Sequence, residues 1–151
     1  MSETVVWLAC YKGRAEHRGI ARIADWVTRK VTRGIYSHCE LAVARGENEY
    51  LYYSSSLRDR GVRGKLMPLP ENKWDKLPLH VSLQEVEAFF RQHCGKRYDW
   101  RGALGLLCCN KQRQDRLFCS EFCAEFLQLK ESWRYSPSHL YALVSSWQYR
   151  P

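Results

Sequence analysis

The apolar positions of this chain follow one rhythm in its first half and another in its second. Early on they come as short runs. Residues 5–10 (VVWLAC) read as a buried strand, and 38–44 and 50–55 as two more. The polar stretch Arg45-Gly46-Glu47-Asn48-Glu49 separates the latter two, so they form a hairpin. Further strands are expected at 62–67 and 77–81, with Pro68, Pro70 and Pro78 placed in one connecting loop. A single helix interrupts this half: Ile20, Ile23, Ala24, Val27 and Val31 recur at steps of three and four, the stripe of an amphipathic helix, and Gly34 closes it.

The second half is helical. Ser82-Leu83-Gln84-Glu85 is a capping box, Val86, Phe89 and Phe90 supply a buried face, and Gly95 ends that helix. A second helix starts near Trp100 and covers 103–107. A third spans 119–129, with Phe122, Cys123, Phe126 and Leu127 on one stripe. Ser136-Pro137 pairs an N-cap with proline in the first helical position, opening a short helix through Tyr141. No repeat or linker divides the chain. The expected architecture is one α+β domain over residues 1–151, a small antiparallel sheet of about four to six strands packed against helices.

Composition changes this picture little. A chain of 151 residues suits one core, and no apolar run approaches the roughly 18 residues of a membrane span. The opening MSETVVWLACYKGR lacks the basic, apolar and small-residue regions of a signal peptide, so a cytoplasmic location with reduced thiols is expected. There are seven cysteines. His93, Cys94, Cys108, Cys109, Cys119 and Cys123 lie close in sequence, but none forms a C-x-x-C knuckle. No metal or other cofactor is expected, and most of the thiols are read as small core residues. The net charge of +8 is dispersed, and the six tryptophans are scattered. Both features argue for a solvated surface rather than a nucleic-acid partner.

Two residues carry candidate chemistry. Cys119 follows the polar run 110–116 and opens a helix, where the macrodipole and unpaired amides favour thiolate over thiol. The same first-turn amides, that of Ser120 among them, are placed to hold an oxyanion. His38 begins the first hairpin strand in Tyr36-Ser37-His38-Cys39-Glu40, with an acid close by. An imidazole there could assist the thiolate and protonate a leaving amine. Asp99 is placed to cap the helix after it, and Glu121 to favour its helix dipole.

Gly95-Lys96-Arg97-Tyr98-Asp99-Trp100-Arg101-Gly102, followed by Phe118-Cys119-Ser120-Glu121-Phe122, resembles the signature of the NlpC-type cell-wall cysteine peptidases. In those, a G-x-x-Y-x-W-G-G stretch precedes a D-C-S-G-[LF]-[VT] helix. Here the histidine lies 81 positions before the cysteine, in Tyr36-Ser37-His38-Cys39-Glu40-Leu41-Ala42-Val43. That order is similar to the circularly permuted branch, which includes bacterial permuted amidases and lecithin:retinol acyltransferase-like proteins. The branch pairs a [WY]-S-H-x-x-[IL]-x-[VF] strand with a later [FY]-C-S-E-[FL]-[VC] helix, and the likeness covers about residues 5–145. It implies a papain-like fold, a Cys119 nucleophile with His38 as base, and a Tyr98 hydroxyl near the substrate carbonyl. The implied substrates are cell-wall peptides or acyl-amides, which for a chain without an export signal would require delivery, as by a phage or a secretion machine.

The third member of the site is open. Permuted relatives often carry a glutamate on the strand after the histidine, whereas this chain has Tyr52-Tyr53-Ser54-Ser55-Ser56. Ser54 or Ser55 could orient the imidazole without supplying charge. Glu40 is the alternative, because residues two apart on a strand share a face. The missing acid also leaves a second expectation: a papain-like binding module, weakly active or inactive, for an anionic cell-wall or membrane surface.

Overall fold

The computed structural model describes residues 4–13, 19–105 and 115–148. In chain order the elements are β1 (Val6–Tyr11), α1 (Ile20–Thr32), β2 (His38–Ala44), β3 (Glu49–Ser56), β4 (Gly61–Pro68) and β5 (Trp74–Leu79). There follow α2 (Leu83–His93), β6 (Arg97–Tyr98), α3 (Trp100–Gly105), β7 (Arg116–Leu117), α4 (Cys119–Phe126), a 3-10 turn at Ser132–Arg134, and α5 (Pro137–Trp147). The class is mixed α+β. Seven strands form one curled sheet in the order β5-β1-β2-β3-β4-β6-β7. All neighbours are antiparallel except β6 and β7.

Alternation along the strands divides the sheet into two faces. The inner face carries Val6, Leu8 and Cys10 of β1, Cys39, Leu41 and Val43 of β2, and Tyr53 of β3. These pack with Val86 of α2, Phe122 and Cys123 of α4, and Leu140 and Val144 of α5 in the main core. A smaller cluster, Ala9, Ala42 and Tyr52 with Trp7, Tyr50, Met67 and Trp74, covers the opposite face. Register then lays a row across that second face. Leu41 pairs with Tyr53, so one step on Glu40 comes opposite Ser54, and Ser54 pairs with Arg63.

Local chemistry sets several boundaries. Ser82 accepts from the Glu85 amide at 3.2 Å, while the Glu85 carboxylate accepts from the Ser82 amide at 2.6 Å. Ser136 accepts from the His139 amide at 3.2 Å ahead of Pro137. Gly61 is required where β4 meets β6, since a Cβ there would lie 2.2 Å from the Lys96 carbonyl oxygen.

Several expectations need correction. Pro68 ends β4 and Pro78 lies in β5 rather than both in a loop, and β5 is an edge strand, where a missing N–H costs no ladder bond. Arg33, not Gly34, takes the left-handed cap of α1. Helix α4 stops at Phe126, not at 129. Gln128 turns left-handed (φ 56°), and the Gln128 and Leu129 amides close back onto Glu125 and Ala124, a Schellman ending without its usual glycine. Helix α5 runs on to Trp147. The two short strands β6 and β7 had no sequence signal, and they take the sheet beyond the expected four to six. Residues 106 and 107, expected in the second helix, lie outside the described residues, as do Cys108 and Cys109. Among the described residues no helix is long and apolar enough to cross a membrane.

Candidate active site

Helix α4 opens without a side-chain cap. Phe118 takes the extended conformation that a cap residue needs, but its ring cannot accept a hydrogen bond. The Phe122 amide makes the first helical bond, to the Phe118 carbonyl at 2.9 Å. The amides of Cys119, Ser120 and Glu121 precede it, the orphan donors of a helix start. The entry is held from below: Ser55 Oγ and the Asp99 amide both donate to the Leu117 carbonyl, at 2.6 and 3.1 Å. Asp99 also accepts from the Gly102 amide at 3.0 Å, capping α3 as its position suggested.

Cys119 is 6% exposed and lies close enough to His38 and Cys39 for both to shift its pKa. The Cys39 hydrogen bond and the His38 charge together outweigh burial and hold the Cys119 thiol well below its ordinary pKa. Cys39 and Cys10, both fully buried, are pushed the other way by desolvation and stay protonated. Neighbouring groups thus push the Cys119 thiol down, while burial pushes Cys39 and Cys10 up.

His38 stands at the start of β2, where the strand end meets the mouth of α4. Its Nε2 lies 2.7 Å from Glu40 Oε1. Burial alone would lower the imidazole pKa, but the Cys119 and Glu40 charges raise it to about 10. Glu40 is buried too, which would raise its own pKa; hydrogen bonds from Arg63 and the charge on His38 bring it down to about 2. Arg63 holds both carboxylate oxygens, Nη1 to Oε2 at 2.7 Å and Nη2 to Oε1 at 2.9 Å, and anchors its own Nε on Asp59 at 2.8 Å. A planar fork on a carboxylate fixes its orientation as well as its charge.

Of the two orienting candidates, Glu40 meets the imidazole. Ser54 does something else: its hydroxyl donates to the Cys39 carbonyl at 2.9 Å. Sitting in the row between Glu40 and Arg63, its small side chain also lets the guanidinium reach across a strand. Ser55 is committed to Leu117. Tyr98 lies close enough to Cys119 for the thiolate, after burial, to raise its phenol pKa, so the hydroxyl stays a donor. Ser120 is buried, and its Oγ has no partner among the described residues. Arg63 and Cys39 were missed as site residues. In sequence Arg63 is one of many dispersed cations, and only strand register brings it to Glu40.

A cleft of about 240 Å³ opens beside the pair, lined by His38, Glu40, Tyr98, Trp74, Met67 and Arg58 among others. Cys119 is not part of its wall, so the cleft meets the pair from the imidazole side.

No family model and no curated protein matches the chain.

Glu121 gives a separate test of this end of the helix. Burial raises its pKa to about 8, against the hydrogen bond that its carboxylate accepts from the Phe118 amide at 3.4 Å. An acid whose folded pKa is raised costs stability as pH climbs from its unfolded value near 4.5 to about 8. Glu121→Gln is therefore expected to raise the melting temperature at pH 8 and to leave it unchanged at pH 4. An equal change at both pH values in thermal melts would contradict the assignment.

Proposed function

We propose that the protein is a cysteine hydrolase cleaving an amide bond in a peptide or acyl-amide substrate, with a permuted papain-like arrangement of nucleophile and base. The observation that carries this reading is the closeness of Cys119 to His38, near enough for each charge to shift the other's pKa, with His38 held by Glu40 and Glu40 by Arg63. The Cys119 thiolate attacks the carbonyl carbon, and the oxyanion meets the Cys119 and Ser120 amides with the Tyr98 phenol. Imidazolium His38 then gives its proton to the leaving nitrogen, the C–N bond breaks, and a thioester remains on Cys119. Neutral His38 takes a proton from water, whose oxygen attacks the thioester; the C–S bond breaks, the carboxylic acid leaves and loses its proton to solvent, and the thiolate–imidazolium pair returns. Glu40 keeps the ring oriented and favours its charged form.

The alternative, an inactive or weakly active binding module, draws its support from the acid missing on β3 and from the dispersed basic surface. A buried carboxylate on the imidazole from β2 weakens the first of these.

Acyl-enzyme trapping tests the proposal. The protein is mixed with cell-wall peptides and with N-acyl amides, quenched in acid, and analysed by mass spectrometry. An acyl adduct on the Cys119 peptide, absent from Cys119→Ala, is expected with one of the two classes. No adduct and no released amine with either class would overturn it.

A further inference from the structure

Helix α1 turns part of its apolar surface away from the body. Ala24, Asp25 and Thr28 line the cleft near His38. Arg29 Nη2 donates to the Gly13 carbonyl and to Ser37 Oγ, the latter at 3.2 Å. Its outward side holds Ile23 and Trp26, 62% and 61% exposed, and Ile35 just beyond the helix is 61% exposed. Arg22, Lys30 and Arg33 are exposed on the same outward side. The apolar stripe read from the sequence thus includes residues turned to solvent, contrary to the usual packing of a surface helix. Of the large hydrophobic side chains exposed among the described residues, Ile23, Trp26, Val31 and Ile35 are concentrated here, with Val5, Leu66 and Trp100 elsewhere.

We infer that this face of α1 docks the protein on an anionic lipid bilayer. The chemistry selects the partner. Tryptophan and isoleucine suit the boundary between headgroups and acyl chains, and flanking Arg and Lys reach lipid phosphates with their stems still in apolar contact. The only acid of α1, Asp25, is on the inward side, where it pairs with Arg29 at 3.9 Å. Nothing on the outward stripe of the helix therefore repels an anionic surface, and the net charge of +8 adds long-range attraction. A second copy is a poorer occupant, because pairing two such stripes would bring three cations against three with no acid between them. Docking stands independently of the hydrolase chemistry, although it would set the cleft wall formed by α1 beside the bilayer.

Vesicle co-sedimentation tests this, using phosphatidylcholine alone and phosphatidylcholine mixed with phosphatidylglycerol. The intact chain is expected to sediment with the mixed vesicles, to stay in solution with phosphatidylcholine alone, and to be released by raised salt. Ile23→Ser combined with Trp26→Ser should weaken binding by about tenfold or more, with an unchanged melting temperature. Lys30→Glu combined with Arg33→Glu should remove the preference for the anionic lipid. Cys119→Ala should bind as the parent does. No binding to mixed vesicles, or binding that survives both double substitutions, would overturn the inference. So would a dimer in analytical ultracentrifugation that Trp26→Ser abolishes while vesicles bind nothing.

Discussion

Cys119→Ser is expected to cut amide turnover by about 10⁴-fold or more, because a hydroxyl in this setting is not ionised and the remaining groups have no nucleophile to serve. Cys123→Ser, one turn along the same helix, should behave in the opposite sense. Its side chain is fully buried between α4 and the sheet, so a hydroxyl there costs about 1–3 kcal/mol and leaves the chemistry nearly intact. In a chain of this length that lowers the melting temperature by about 2–4 °C per kcal/mol. Kinetics and thermal melts on the two variants separate the roles. Full turnover in Cys119→Ser with loss in Cys123→Ser would show that the nucleophile is misassigned.

Glu40→Gln is expected to have the second-largest effect. The amide can still accept a hydrogen bond, but it removes one of the two negative charges that hold the His38 pKa near 10. The alkaline limb of kcat/KM should therefore move to lower pH, and the rate should fall by about 10²–10⁴-fold. It also strips Arg63 of its main partner, leaving a partly buried guanidinium with Asp59 alone, at a cost of about 3 kcal/mol. The pH dependence of stability has a fixed sign. Glu40 has a depressed folded pKa, so its contribution is present above about 4.5 and is lost as pH falls towards 2. The shift of about 2.5 units corresponds to about 3 kcal/mol, and acid titration of the parent against Glu40→Gln measures it. Unchanged pH limbs and an unchanged acid transition would mean that His38 is held by other groups.

Much of the hairpin and of the capping was legible because it is local. Alternation over 38–44 and 50–55, the Ser82–Glu85 box and the Ser136-Pro137 start each lie within a few residues of their own cause. What escaped depended on tertiary placement. Periodicity found the α1 stripe but could not say which side the body would take. That choice rests on Arg29, which reaches Gly13 and Ser37, and on Asp25 and Thr28 at the cleft. Pro78 argued for a loop until β5 proved to be an edge. The site divides in the same way. Cys119, His38 and Glu40 could be singled out by type and local position, whereas Arg63 and Cys39 gained meaning only from register and from the approach of α4 to the end of β2. Ser54 was noticed for the wrong reason: it bonds the Cys39 carbonyl and leaves room for the Arg63–Glu40 pair, and does not touch the imidazole itself.

The proposed chemistry rests on Cys119 as a thiolate paired with a charged imidazole. Its most direct test is the rate of iodoacetamide alkylation at each cysteine as a function of pH, read by peptide mass spectrometry. Cys119 is expected to react already below the ordinary thiol pKa of about 8.5, and ahead of the exposed Cys94. His38→Ala should move its curve back towards that ordinary value. A Cys119 rate that climbs only around pH 8.5, or that trails Cys94 throughout, would contradict it.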